Sequence, residues 1–223
     1  MVERMNMSGI SGNYTAKVYD GLIKEIIEGS LRGGDRLCDT DIAQKYGVSR
    51  TPVREAILLL EKDGFVETVG RKGVFVKTMS IQSAKDIYFV REILETTAGR
   101  LAAQLVRDDD LLLLSNILSK MEAVPESGDF MDYPRLDQEF HSSIVNICGV
   151  ELLNRLCTQM SLLGASILLK GKDYEESIGQ FNKEHRLIYE RLKAHDEDGT
   201  ERAIREHIQQ GKVGVLMQML NRN

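Results

Sequence analysis

With 223 residues, 42% of them hydrophobic and 28% charged, the chain has enough apolar material for one large domain or two small ones. No Trp, only three Pro and a formal net charge of −5 describe a folded, mainly helical protein and exclude a disordered one. The longest apolar runs, such as AILLL at 56–60, fall far short of the roughly 20 residues that cross a bilayer, and residues 1–13 hold no apolar signal-peptide core, so the expected location is the cytoplasm, with no membrane partner.

The charge is unevenly divided. Residues 1–80 hold 12 Lys and Arg against 11 Asp and Glu, a net of +1, while the remainder holds 17 against 23, a net of −6. Two stretches of the first part carry bases and no acids: residues 42–54, with Lys45, Arg50 and Arg54, and residues 68–77, with Arg71, Lys72 and Lys77. Together they would form one phosphate-facing surface. The three cysteines, Cys38, Cys148 and Cys157, make no CxxC pair and are expected as reduced thiols in the core.

In chain order, Val18, Leu22, Ile26 and Ile27 repeat at a helical period over residues 16–30, and Gly29 and Gly33–Gly34 end the repeat. DIAQKYG, 41–47, predicts a short second helix with Asp39 or Thr40 as its cap and Gly47 at its end. Ser49 is placed to cap a third helix, with Pro52 in its first turn, Glu55 near its positive end and Gly64 as its stop. FVETVGRKGVFVK, 65–77, then gives two β-branched and aromatic runs around GRKG, a hairpin with a basic tip.

Helix, helix, turn, helix, hairpin is the order of a winged helix-turn-helix, whose third helix sets its N-terminal turns in the major groove. Arg50 and Arg54, four residues apart, share a face suited to guanine O6/N7 or phosphate. Ser49 and Thr51 suit phosphate oxygens. Lys45, Arg71 and Lys72 fit phosphate better than bases, and an acid beside them would repel the DNA backbone. The competing reading is a capped surface helix with solvated arginines.

Beyond residue 80 there is no strand pattern. Helices are expected at 81–105, 109–123, 129–147, 150–170, 174–194 and 198–220, with breaks at 126–129, 148–150, 171–173 and 195–199. A bundle of that size can enclose a cavity. Asp137 and His141 are four apart and share one helix face, while His185 and His207 belong to two later helices. One carboxylate and three imidazoles suit a divalent ion such as zinc, nickel or manganese. Spacing alone equally fits hydrogen-bonded core histidines. His195, in the polar HDEDG break, needs only a helix-end role.

Taken together, EGSLRGGDRLCDTDIAQKYGVSRTPVREAILLLEKDGFVETVGRKGVFV, with its specific VSRTPVREA core, and DQEFH (137–141), EH (184–185) and EH (206–207) resemble the GntR family of bacterial transcription regulators. Within it they resemble the FadR-like branch with an FCD effector domain, and six helices after the wing are more like the shorter VanR type. The resemblance implies a winged helix-turn-helix at 1–78 and an all-α effector-binding and dimerisation domain at 79–223. It implies contacts to operator DNA by Arg50, Thr51, Arg54 and the wing from Arg71 to Gly73, and a metal site of Asp137, His141, His185 and His207. Arg91 matches the arginine of an RxxLE pattern and either pairs with an effector carboxylate or forms an intrahelical salt bridge with Glu95.

The implied protein is a homodimer that reads a pseudo-palindromic operator, responds to a small organic acid and is no enzyme. Three positions depart from the family pattern: Gly33 stands for a proline, Thr40 for a DNA-contacting arginine and Val150 for an asparagine that starts a helix. Two rival readings are a purely structural metal site and a metal-dependent phosphohydrolase using His195–Asp196, the latter weakened because that pair falls in a break and lacks a general base.

Overall fold

Apolar spacing decides which helix faces are buried. The computed structural model describes residues 5–128, 130, 132–167 and 172–221, with side chains from residue 13 onward except those of 172 and 173. The chain divides into two compact units, Met1–Ser80 and Ile81–Asn223.

In the first unit α1 (Met5–Glu28) lies against α3 (Arg50–Lys62), with α2 (Asp39–Tyr46) also packed on α3. Val18, Leu22 and Ile26 of α1, Ile42 of α2, and Val53, Ile57 and Leu60 of α3 are buried as their periods require. Thr15 Oγ1 donates to Glu55 Oε2 at 2.7 Å, and Tyr19 OH to Asp63 Oδ2 at 2.7 Å, which fixes α1 along α3. Strands β1 (Arg36–Leu37), β2 (Val66–Val69) and β3 (Gly73–Val76) form an antiparallel sheet in the order β1-β3-β2. Val66 faces Val76 and Val69 faces Gly73 across the hairpin, whose tip carries Arg71 and Lys72.

Several local expectations are corrected here. The first helix begins at Met5 instead of 16, because residues 5–15 lack an apolar repeat but extend a helix already nucleated, where each added residue gains a hydrogen bond. Neither Asp39 nor Thr40 caps α2: Cys38 occupies that position and Asp39 falls in the first turn. Ser49 holds the N-cap position of α3 with extended backbone but makes no side-chain cap bond. Cys38 is exposed, whereas Cys148 and Cys157 are buried free thiols. Gly47 ends α2 at φ 67° as expected, its N–H bonded back to Ala43 and Gln44.

The second unit contains α4 (Ile81–Leu105), α5 (Asp108–Ser127), α6 (Tyr133–Ile147), α7 (Glu151–Ile167), α8 (Lys172–Lys193) and α9 (Glu197–Leu220). The long helices α4 and α9 pack along each other, and α6 touches α4, α5 and α7. Helix α5 opens on Asp108, Asp109 and Asp110, which complement its positive end, and Asp110 accepts the Arg107 N–H at 3.0 Å. Helix α6 starts at Tyr133 instead of 129 because Pro134 fits only the first turn. Residues 129, 131 and 168–171, parts of two predicted helices and of two predicted breaks, lie outside the described residues.

Helix α5 was expected to stop at 123, before Pro125, yet it runs on to Ser127. Proline cannot donate to the carbonyl four residues back, which is that of Met121. Asn182 of α8 supplies the missing donor: its Nδ2 reaches Met121 O at 3.2 Å. A tertiary contact thus replaces the lost helical bond.

Candidate metal centre and DNA-facing helix

Asp137 and His141 on α6, His185 on α8 and His207 on α9 converge inside the second unit, each offering one ligand atom, all within 4.8 Å of one another. His141 Nε2 is 3.2 Å from both His207 Nε2 and His185 Nε2. Asp137 Oδ1 lies 3.1 Å from His185 Nε2 and 3.9 Å from His141 Nε2. Such 3.2 Å pairs are what neighbouring donors show around an ion with bonds of about 2.0–2.1 Å. The spacing of four on α6 places two of the donors; the other two arrive from elements more than 40 residues away.

The outward nitrogens are equally organised. His207 Nδ1 is 2.9 Å from Glu184 Oε2, His141 Nδ1 is 3.1 Å from Glu95 Oε2, and His185 Nδ1 is 3.5 Å from Tyr133 OH. Carboxylates accept, so His141 and His207 carry their proton on Nδ1. Tyr133 OH donates to Asn182 Oδ1 at 2.9 Å, leaving its lone pairs toward His185. Three Nε2 atoms and a carboxylate oxygen therefore face one another, with His185 Nε2 placed to donate to Asp137 Oδ1. A cation at their centre would make a ligand of every member.

Electrostatics agree. Burial pushes the His185 imidazole down to about 4, so it is neutral at pH 7. Burial also opposes charge on Asp137, yet the hydrogen bond from His185 and the neighbouring imidazoles hold its carboxyl well below the usual range. His141 is raised despite burial, through Glu95 and Asp137.

Beside it lies a cavity of about 70 Å³, bordered by Arg91, Tyr133, Asp137, His141, Ser161 and His207 among others. At about 10–15 Å³ per water it has room for several solvent-sized groups. Arg91, buried on α4, donates from Nε to Glu95 Oε1 at 2.7 Å and stands over the Tyr88 ring at 5.2 Å. The intrahelical salt bridge is thus present, and the same arginine still borders the cavity. Glu95 holds Arg91 with one oxygen and faces His141 with the other.

Sequence reading named the four residues that converge but not their outer partners. Tyr133 was legible, being four residues before Asp137 on the same face. The link between Glu95 and His141 was not, since it joins two helices across 46 residues of chain. His195 takes the left-handed conformation that ends α8, with Nδ1 2.9 Å from Ala103 O, and Asp196 caps α9 by accepting the Gly199 N–H at 2.9 Å. Both members of that pair are occupied structurally.

In the first unit, Ser49, Arg50, Thr51 and Arg54 are exposed at the N-terminal end of α3, and Lys45 is exposed on α2. Lys45 pairs with Glu25 at 2.7 Å, and Arg50 and Arg54 both reach Asp39. Arg71 and Lys72 are exposed at the hairpin tip, and Gly73 (φ 118°) lies against the Arg36 guanidinium, where a Cβ would come within 3.0 Å of Nε. Arg36 joins the basic wing from a two-residue strand too short to show a period.

Residues 14–76 match the model of bacterial regulatory proteins of the gntR family, and residues 86–210 match the FCD domain. The chain belongs to the GntR family of regulators, with an FCD domain. As such it is a DNA-binding transcriptional regulator. The regulator YdhC of Bacillus subtilis is 28% identical over 195 residues, 87% of each chain. The Escherichia coli repressor RspR is 23% identical, over 87% of this chain and 85% of its own. Among solved structures, E. coli McbR/YncC superposes with a TM-score of 0.83 at 24% identity, covering 93% of this chain and 98% of its own. A GntR protein of Rhodococcus sp. RHA1 gives 0.76 at 22%, covering 91% and 97%. At these identities the two structures establish the GntR–FCD fold.

Proposed function

We propose that this GntR regulator is a ligand-responsive homodimer whose residues 1–78 bind a pseudo-palindromic operator and whose residues 79–223 hold a divalent metal beside a pocket for a small carboxylate effector. The observation that carries the reading is the set of three inward Nε2 atoms whose Nδ1 partners all lie outside the cluster. Asp137, His141, His185 and His207 are the proposed ligands. Zinc is the proposed ion, and nickel or manganese would meet the same donors. A divalent ion with one carboxylate and three neutral imidazoles keeps about one unit of positive charge. A small organic acid entering the cavity would meet that charge and Arg91.

Cavity geometry favours a sensor over a purely structural ion, because Asp137, His141 and His207 border the cavity. The DNA contacts proposed are Ser49, Arg50, Thr51 and Arg54 on the reading helix, Lys45 beside it and Arg71, Lys72 and Gly73 on the wing. An effector acts only through a difference in its affinity for two arrangements of the DNA heads. No turnover is proposed.

Elemental analysis with native mass spectrometry of the unmodified protein tests the core of this reading: about one divalent ion per chain is expected, and a metal-free dimer would refute it. Arg54→Ala is expected to weaken binding to the selected operator by about 1–3 kcal/mol, measured by fluorescence anisotropy. Unchanged affinity would remove Arg54 from the surface. Glu184→Gln removes the charge that orients His207 and is expected to lower zinc affinity about 10–100-fold, read by competition with a chromogenic chelator.

A further inference from the structure

Although residues 42–54 contain no acid, the fold returns one to their arginines. Asp39 Oδ2 accepts from Arg50 Nη2 at 2.8 Å, from Arg50 Nε at 3.1 Å and from Arg54 Nε at 2.9 Å. A single carboxylate oxygen therefore takes three N–H donors from two arginines on one helix face. Arg54 gives it Nε alone, and among the described residues its Nη groups make no hydrogen bond. We infer that Asp39 is a specificity-determining residue of the DNA-reading surface: it fixes the Arg54 guanidinium with both Nη groups available to a base edge, and it weakens the attraction of that surface for DNA in general.

Two arginines four apart repel each other, and each must be ordered before it can read a base. Bidentate recognition of guanine depends on a fixed guanidinium plane, so a side chain held in advance loses less freedom on binding. Phosphates accept from many rotamers and gain nothing from that hold, while the Asp39 charge opposes the duplex. Hydrogen bonds from Arg50 and then Arg54 keep the Asp39 carboxyl below its usual range, so it is ionised at neutral pH. The side chains of Arg50 and Arg54 are 53% and 63% exposed and that of Asp39 22%, leaving the group accessible to DNA. Exposed pairs of this kind add little to stability, so removing the charge leaves the fold intact.

The inference rests on α3 being the reading helix, and the experiment separates the two. A duplex is selected by the wild-type full-length protein from a random pool, and a scrambled duplex of the same composition serves as the comparison. Affinities for both are measured across a salt series for wild type, Asp39→Asn, Asp39→Glu and Asp41→Asn. Asp41 is in the same helical turn and, among the described residues, bonds to Thr40 and to neither arginine, so it controls for net charge and the helix dipole. Asp39→Asn should bind the selected duplex more weakly and the scrambled duplex more tightly, lowering their ratio about tenfold. Asp39→Glu should restore most of the ratio, and Asp41→Asn should leave it unchanged. Opposite changes on the two duplexes cannot come from partial unfolding. An unchanged ratio in Asp39→Asn, or an equal fall in Asp41→Asn, overturns the inference while Arg54→Ala still impairs selected binding. If Arg54→Ala binds the selected duplex normally, the reading of α3 fails and the inference with it.

Discussion

His185→Ala is expected to abolish tight metal binding. The imidazole is fully buried, is one of the four proposed donors and is 3.1 Å from the carboxylate oxygen of Asp137. Loss of an outer partner alone usually costs about 10–100-fold in affinity, and loss of the donor itself should exceed the upper end of that range. Linkage turns this into a stability difference: at a free metal concentration of about 100 Kd, the ion stabilises the native state by about 2.7 kcal/mol. Wild-type protein should therefore melt higher with added zinc and lower with a chelator, whereas the variant should respond to neither. Elemental analysis after desalting is the direct check. Full metal retention would remove His185 from the ligand set.

Phe140→Ala should give the largest loss of fold stability. Its ring is fully buried and meets the His185 ring edge-on at a centroid distance of 5.1 Å and that of His141 at 5.8 Å. Truncating a buried phenylalanine costs about 3–5 kcal/mol, a large share of a total near 5–15 kcal/mol. The expected result is a lower urea midpoint with little change in slope, accompanied by weaker zinc binding because two proposed ligand rings lose their support. A stability change under about 1 kcal/mol would show that the site collapses around the gap and that Phe140 positions nothing.

The helical unit was legible where periodicity is strong. Helix α4 runs over the predicted residues 81–105, and the pair Asp137 and His141 could be placed on one face from their spacing alone. What escaped were the contacts that join distant elements. Asp39 read as a helix cap because only its neighbours in sequence were visible; its carboxylate is instead claimed by arginines 11 and 15 residues further on. Ser49 matched the preferred residue type at a helix start, but the side chain forms no cap bond. Cys38 read as core by composition, yet it lies at the exposed start of α2. Propensity and pattern are local, whereas the partner that wins a side chain is settled by the fold.

Pro125 lies on the exposed last turn of α5. By withholding an N–H it leaves the Met121 carbonyl open to Asn182, whose amide oxygen takes the Tyr133 hydroxyl proton and so turns that hydroxyl into an acceptor for His185. A residue with an ordinary backbone amide at 125 would compete for Met121, loosen Asn182 and, through Tyr133, disturb the contact to His185. The surroundings of a buried imidazole thus depend on a proline at the protein surface, one whose replacement by alanine would look, from helix propensity alone, like an improvement.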